Sequence, residues 1–276
     1  MTIFQTILLR NLPKSEVRMD LMQYRIEGTF RGFREVPSTN PHYVSVKVGD
    51  AFTGFWCYGE AGDVLVKTFD QEGRAWRDET PKKAARYREM ASDGGLDDFL
   101  MPYDQTTFTA WHALTHKLPR ETFPPNLYPA PNEDHPEGLD DAELRKWVEA
   151  RNRQRLQTTF YEQHEANISG FLAEMQFSFL RWLVEGEESG FARWGYLLQT
   201  LYHAELSEIS EHPNLFAGLV DVIIPHFEFL PTLAFTAGGM ARFASGMLAE
   251  NMRAIGGKLG DKADALDTAV QARAVE

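Results

Sequence analysis

The order of hydrophobic and polar residues differs between the two halves of this 276-residue chain. In the segment YVSVKVG, Val44, Val46 and Val48 alternate with Ser45 and Lys47. Successive side chains of a β-strand point to opposite faces, so this alternation predicts a strand with one buried face.

Further short runs rich in Val, Ile, Phe and Tyr occur in the first eighty residues, separated by Pro, Gly, Asn and Asp. The six predicted strands are TILLRNL, YRIEG, GFREVP, HYVSVKV, FTGFWCYG and DVLVKTFD. Gly59 and Gly62, between the last two runs, predict a hairpin there. Because no long helix separates these runs, we expect an antiparallel β-sandwich or open barrel and not a parallel sheet.

Helical patterns begin near Pro81, where Thr80 is a suitable N-cap and the proline suits a first helical turn. A second short helix is predicted between Asp104 and Leu118. Residues 119–138 then contain six prolines, which exclude a regular helix or central strand. We therefore predict a β-rich domain with accessory helices at residues 1–118, a proline-rich linker at 119–138, and an all-α domain at 139–276.

The stretch AEMQFSFLRWLVEGEESGFARWGYLLQTL, residues 173–201, has more large apolar side chains than a helix with one wet face requires. One apolar stripe continues a helical period through six residues: Ile168, Phe171, Met175, Phe179, Trp182 and Leu183. A second stripe contains Phe177, Leu180 and Val184. The pattern favours a helix in the middle of a bundle of four to six helices, with a groove for a partner as the alternative.

Composition and charge narrow the functional classes. The net charge is −12, and the acidity is uneven. The first 118 residues carry 15 Lys and Arg against 16 Asp and Glu, whereas the remaining residues carry 13 against 24. A surface that binds phosphates needs clustered Lys and Arg, and neither half of the sequence contains such a cluster. Direct nucleic-acid binding is therefore not expected.

A single cysteine, Cys57, excludes an intramolecular disulfide framework and a cysteine-based metal cluster. The N-terminal sequence has no signal-peptide pattern, and the later apolar runs contain charged residues and proline. We expect a cytoplasmic protein that does not span a membrane.

The strongest candidate for enzymatic chemistry is HALTH, in which His112 and His116 share one helix face and could bind a metal. In the zincin motif a glutamate directly follows the first histidine, and here that position is Ala113. No serine nucleophile motif occurs, and Cys57 is read as a small buried residue. We therefore predict no catalytic residue, no metal site and no cofactor.

Three collinear segments resemble the Aar-two family of spliceosome assembly factors, and the resemblance covers most of the chain. In FRGFREVPSTNPHYVSV the matching residues are Phe30, Arg31, Gly32 and Pro37. In LDDFLMPYDQTTFTAW they are Leu96, Phe99, Leu100, Pro102, Tyr103 and Trp111. In residues 173–201 they are Glu174, Gln176, Phe177, Phe179, Phe191 and Trp194. The short linker and a trimmed segment between Leu219 and Pro231 indicate a compact, divergent member.

The resemblance implies a β-rich N-terminal domain, a helical C-terminal domain and a function without catalysis. Family members are chaperone-like factors that bind the C-terminal domains of the Prp-eight protein. They hold a precursor of the U-five particle in the cytoplasm and keep the Brr-two helicase from associating early. The partner expected here is a Prp-eight-like protein, in a lineage that has a spliceosome.

Two alternatives remain at the level of the sequence. One is the family fold with an unrelated protein partner, and the other is a metal-dependent enzyme that uses His112 and His116. The candidate residues for partner contact are Arg193 and Trp194, because an aromatic beside an arginine suits an interface, together with the polar residues Glu174 and Gln176 of the apolar helix.

Overall fold

The computed structural model describes residues 4–26, 28–125, 127–131 and 138–274. The chain divides into two compact units, the β-rich unit Met1–His116 and the helical unit Lys117–Glu276. No helix among the described residues is long and apolar enough to cross a membrane.

The described part of the β-rich unit forms two sheets from nine strands. They are β1 (Phe4–Arg10), β2 (Glu16–Met19), β3 (Met22–Arg25), β4 (Gly32–Pro37), β5 (His42–Val48), β6 (Ala51–Cys57), β7 (Val64–Asp70), β8 (Ala75–Asp78) and β9 (Leu100–Pro102). One sheet has the order β8-β7-β1-β4-β9, and the other has the order β3-β2-β5-β6. This architecture confirms the predicted sandwich-like α+β fold.

Strand direction departs from the antiparallel expectation in one of the sheets. The four-stranded sheet is antiparallel throughout. In the five-stranded sheet, β1 pairs in parallel with β7, and β4 pairs in parallel with β9. Parallel neighbours need a long crossover. Here the chain between β1 and β7 forms all four strands of the other sheet. In the sequence, α1 (Pro81–Ser92) lies between β8 and β9.

The predicted hairpin at Gly59 and Gly62 is wrong. β6 pairs with β5 in one sheet, whereas β7 pairs with β1 and β8 in the other. The glycine-containing segment therefore carries the chain from one sheet to the other. The tight hairpin lies one connection earlier, where Val48 opposes Ala51 and Gly49 adopts a φ of 65°.

The core of the β-rich unit lies between the facing sheets. It contains residues from both sheets, among them Ile7, Leu9, Val17, Phe33, Val44 and Cys57. A smaller cluster covers the other face of the five-stranded sheet, where Leu8 and Val66 pack with Ala84 of α1. The second helix, α2 (Gln105–Thr115), buries Trp111, whose indole Nε1 donates a hydrogen bond of 2.8 Å to the Pro41 carbonyl oxygen.

Gly32 is required where β4 meets β1. It has a φ of 133°, a region that L side chains rarely adopt. A Cβ atom at this position would lie 1.9 Å from the carbonyl oxygen of Ile7. The close approach of the two strands therefore excludes any side chain at residue 32.

The described part of the helical unit contains seven helices, more than the four to six predicted. They are α3 (Asp141–Leu156), α4 (Ile168–Leu180), α5 (Glu188–Tyr202), α6 (Leu206–Glu211), α7 (Pro213–Phe227), α8 (Met240–Ile255) and α9 (Lys258–Ala274). Wider π-helical turns extend α3 through Gln157–Gln163 and α4 through Arg181–Glu185.

Helix α4 is buried on every side from Phe171 to Leu180, which confirms its prediction as a core helix. It packs against α5 and α7. Gly190 permits the contact with α5, because a Cβ atom there would lie 2.6 Å from the carbonyl oxygen of Ser178.

The described residues of the predicted linker, 119–125, 127–131 and 138, contain no helix or strand. Residues 126 and 132–137 lie outside the described residues, so the linker boundaries stay a prediction. The first part of this stretch packs onto the helical unit, since the rings of Phe123 and Phe177 are 5.5 Å apart at an angle of 74°.

Candidate functional site

An ion pair between Glu174 of α4 and Arg193 of α5 lies inside the helical unit. Arg193 donates from Nε to Glu174 Oε1 at 2.8 Å and from Nη2 to Oε2 at 3.0 Å. The two side chains are 0% and 2% exposed. Such a two-bond contact is among the stronger hydrogen-bonding arrangements available to a carboxylate, and burial makes it costly to break.

Three further groups complete the surroundings of this pair. His164 Nε2 lies 2.6 Å from Glu174 Oε2, and the backbone N–H of Tyr128 donates to Oε1 at 2.9 Å. Arg193 Nη2 also donates to the side-chain oxygen of Gln163 at 2.9 Å. The pair therefore connects two helices, the turn that follows α3, and the stretch before α3.

These contacts determine the ionisation of Glu174. Burial raises the pKa of its carboxyl, but the hydrogen bonds from His164 and Arg193 outweigh burial and hold the pKa below its ordinary value. Glu174 is therefore a carboxylate at neutral pH, with its oxygens occupied by donors of the same unit.

Gln176 performs a related task two residues further along α4. It is fully buried, and its side-chain oxygen accepts a hydrogen bond of 2.8 Å from the backbone N–H of Lys117. Glu174 and Gln176 thus bind two backbone N–H groups of the stretch that precedes the first helix of this unit. Both hydrogen bonds are partly buried, and an unpaired N–H costs up to about 1–3 kcal/mol when fully buried, so both side chains contribute to fixing this stretch.

Trp194 lies in an aromatic cluster around α4. Its indole Nε1 donates to His226 Nδ1 of α7 at 3.0 Å. The rings of Phe179 and His226 are stacked with centroids 4.0 Å apart, and Trp194 is tilted against Phe179 at 5.2 Å. Trp194 is 0% exposed, so its side chain packs in the core of the helical unit.

All four candidate residues for partner contact are buried inside the helical unit, and only Glu174 and Arg193 among them are shown in direct contact. Glu174 and Arg193 bind each other, Gln176 binds the stretch before α3, and Trp194 packs with Phe179 and His226. Their role in partner binding stays a prediction, while the structure gives each of them an internal structural task.

The two histidines of the HALTH motif differ in their surroundings. His112 is exposed, with Nδ1 2.9 Å from the Asn40 side-chain oxygen, and His116 is half-buried, with Nδ1 2.9 Å from the Ala113 carbonyl oxygen. Their ring centroids are 6.3 Å apart. Across the part of the chain that the structure describes, no group of three or more His, Cys, Asp or Glu is arranged to hold a metal ion.

A second buried polar cluster, which no pattern in the sequence predicted, lies in the β-rich unit. Asp20 sits in the β2–β3 turn, and its Oδ2 lies 2.6 Å from His42 Nδ1 and accepts 2.8 Å from the Tyr103 hydroxyl. The N–H of Tyr43 donates to Oδ1 at 2.9 Å, and His42 Nε2 faces the Pro37 carbonyl oxygen at 2.5 Å. Burial and the nearby Asp20 carboxylate raise the pKa of Tyr103. The cluster joins strands that lie far apart in sequence.

The only available signal for this cluster was the residue types themselves. Asp20 and His42 are separated by 22 positions and Asp20 and Tyr103 by 83, so no local spacing marks them as partners. Cys57 is buried in the same core, and burial raises the pKa of its thiol. It is therefore a protonated, unreactive thiol at neutral pH.

Comparison with known protein families decides the relationship of this chain. Residues 4–124 match the AAR2 N-terminal domain, and residues 129–274 match the AAR2 C-terminal repeat region. The chain belongs to the AAR2 family. This is the Aar-two family that its sequence segments resemble.

A relative within the AAR2 family is Protein AAR2 homolog of Caenorhabditis elegans. It is 26% identical over 112 aligned residues, which make up 39% of this chain and 30% of that protein. The aligned part thus spans less than a third of the relative's length.

Several residues that carry the AAR2 resemblance have structural tasks in this chain. Gly32 allows β1 and β4 to meet, Tyr103 binds Asp20, and Trp111 is fully buried. Arg31, by contrast, is exposed. Within the part of the chain described, its guanidinium has no carboxylate within ion-pair distance and donates only to the carbonyl oxygen of Phe30, at 3.1 Å.

Proposed function

We propose that this chain is a non-enzymatic assembly factor of the splicing machinery that acts by binding another protein in the cytoplasm. The observation that carries the proposal is the match of both units to the AAR2 family, over residues 4–124 and 129–274. A protein that acts by occupying a partner's surface needs a stable scaffold and no reactive group.

The internal use of the buried polar groups supports a scaffold. The carboxylates of Glu174 and Asp20 are saturated by donors of their own unit, and the thiol of Cys57 is buried and protonated. Catalytic groups are commonly found in clefts, where they can reach a substrate. These groups instead join distant parts of the chain, which is the behaviour of residues that stabilise a fold.

The partner that we propose is the C-terminal region of a Prp-eight-like protein, and the consequence of binding is exclusion of a Brr-two-like helicase from that region. A factor that acts by occupying a partner's surface binds that partner in a fixed ratio. The proposal therefore requires a complex with one copy of each protein and competition with the helicase for the same partner.

Isothermal titration calorimetry of the full chain with the Prp-eight C-terminal domains of the same organism tests this function. We expect saturable heat at one-to-one stoichiometry, and co-elution of both proteins in size-exclusion chromatography. In a second experiment, the helicase should bind the Prp-eight domains alone and fail to bind them once this chain is present. Absence of heat together with separate elution would overturn the proposed function.

A further inference from the structure

A pocket of about 430 Å³ opens on the β-rich unit beside the end of β1. This volume falls within the range of roughly 300–1,000 Å³ that is usual for ligand sites. Its apolar lining comes from β1 and the residues just after it, from α1, and from the turn before β9: Leu8, Leu12, Met90, Leu96 and Phe99. Phe99 is 37% exposed, so an apolar surface is available to a ligand.

Two arginines, Arg10 and Arg31, line this pocket, and they differ in whether a carboxylate of the chain already pairs with the guanidinium. The guanidinium of Arg10 is paired with the carboxylate of Glu79 and lies 4.7 Å from the centroid of the Tyr87 ring. The guanidinium of Arg31 faces no carboxylate among the described residues. Arg31 is therefore the cation of the pocket that can accept an anionic ligand.

The backbone holds Arg31 in place from both sides. Its N–H donates to the Phe99 carbonyl oxygen at 2.8 Å, and its own carbonyl oxygen accepts from the N–H of Leu9 at 2.7 Å. Gly32, the next residue, is fixed by the pairing of β4 with β1. The backbone at Arg31 therefore does not have to be ordered when a ligand binds, which favours recognition.

An acidic ligand meets less net charge repulsion at the first 118 residues than at the rest of the chain. The first 118 residues carry nearly balanced charges, whereas the following residues carry 13 Lys and Arg against 24 Asp and Glu. An acidic segment would be repelled by the second part of the chain, and it meets an available guanidinium in the first.

We propose that this pocket binds a peptide segment of a protein partner in which an Asp or Glu stands next to a large apolar residue. The carboxylate pairs with the Arg31 guanidinium, and the apolar side chain enters the space between Leu12, Met90 and Phe99. The proposal deepens the proposed function by giving the chemistry of one contact, and it rests on that function for the identity of the partner.

A titration with small capped peptides tests the pocket by itself. The probe is acetyl-Glu-Leu-amide, added to the full chain with labelled Leu and Met methyl groups and followed by NMR. We expect saturable shifts of the methyl signals of Leu8, Leu12, Met90 and Leu96. Acetyl-Gln-Leu-amide, which lacks the charge, and acetyl-Glu-Ala-amide, which lacks the apolar group, should each bind roughly fivefold more weakly.

The matched variants are Arg31→Gln and Arg86→Gln. Arg86 is an exposed arginine of α1 that does not line the pocket, so its replacement makes the same charge change elsewhere. Arg31→Gln should weaken binding of acetyl-Glu-Leu-amide about fivefold and leave acetyl-Gln-Leu-amide unchanged, whereas Arg86→Gln should alter neither. An unchanged methyl spectrum of the free variant verifies that it is folded.

Three results would overturn the proposal: no saturable shift of these methyl signals, equal binding of the two leucine peptides, or acetate binding as tightly as acetyl-Glu-Leu-amide.

The calorimetric partner assay supplies the second test. Loss of partner affinity in Arg31→Gln but not in Arg86→Gln supports the pocket as a partner contact. Equal partner affinity in both variants removes the pocket from the interface and leaves the proposed function intact. Failure of the partner to bind the unaltered chain overturns only the proposed function, because the peptide titration decides the pocket's chemistry independently.

Discussion

At the scale of single residues, Glu174 is the point where hydrogen bonds from three parts of the helical unit converge. Its carboxylate receives donors from α5, from the turn that follows α3, and from the backbone of Tyr128. An acidic residue at the centre of an apolar helix is tolerated because each oxygen is occupied by donors and the charge is balanced by Arg193.

Replacement of Glu174 by Gln should destabilise the helical unit strongly. Glutamine has nearly the same shape, but it leaves the Arg193 guanidinium buried without a counter-charge, which costs about 3–5 kcal/mol. The measurement is urea unfolding of the full chain at pH 7, followed by far-ultraviolet circular dichroism. The matched control is Glu185→Gln, which removes the i,i+4 pair with Arg181 and should cost less than about 1 kcal/mol.

The stability lost in Glu174→Gln should depend on pH. Because the folded state holds the pKa of Glu174 below its ordinary value, the stabilisation is present above the unfolded value of about 4.3 and is lost as pH falls through the folded pKa. The difference in unfolding free energy between the unaltered chain and Glu174→Gln should therefore shrink below about pH 4. A difference that stays constant between neutral and acidic pH would contradict this account of the ion pair.

At the scale of secondary-structure elements, the sequence predicted individual strands and helices better than it predicted which strands pair. The alternating valines predicted β5 as a strand, and the doubled apolar stripe predicted α4 as a core helix. The expectation that β5 has one buried face is wrong, because Ser45 on the opposite face is also fully buried. The short strands β2, β8 and β9 have only three or four residues each, too few for a period to be recognised.

Strand partners could not be read from the sequence because they depend on the route of the chain. Gly59 and Gly62 have the composition of a hairpin, yet the segment connects two sheets. The polar exceptions Glu174 and Gln176 were visible in the sequence, whereas the groups that bind them lie 10 to 59 positions away. The sequence thus showed that Glu174 and Gln176 are unusual on an apolar helix, and only the fold identifies the groups that bind them.

Gly32→Ala should disrupt the pairing of β1 with β4. The new Cβ atom would lie against the Ile7 carbonyl oxygen, and the φ of 133° is unfavourable for alanine, so we expect a loss of several kcal/mol, roughly 3 or more. Thermal unfolding measures the change. Gly246→Ala is the control, because this α8 glycine has no atom within 4 Å of a new Cβ and should gain about 0.5–1 kcal/mol. Equal effects of the two substitutions would show that backbone conformation at residue 32 is not decisive.

At the scale of the whole molecule, the chain consists of two units that each bury their own polar cluster. Asp20, His42 and Tyr103 join strands of the β-rich unit, and Glu174, His164 and Arg193 join elements of the helical unit. A unit with its own core opens and closes with its own free energy.

Hydrogen exchange measured by mass spectrometry should therefore localise the effects of substitutions. Gly32→Ala should accelerate amide exchange in β1 and β4 and leave α4 at its original rate. Glu174→Gln should accelerate exchange in α4 and α5 and leave β1 and β4 unchanged. Faster exchange throughout the chain in either variant would show that the two units unfold as one.

The hydrogen bonds from Lys117 and Tyr128 to α4 also set an order of events during protein synthesis. Tyr128 leaves the ribosome 46 residues before Glu174, and Lys117 leaves it 59 residues before Gln176. Closing loops of this length has an entropic cost that the later helices must offset. The first residues of the helical unit therefore have to wait for α4, so a nascent chain carries this stretch unanchored while translation continues.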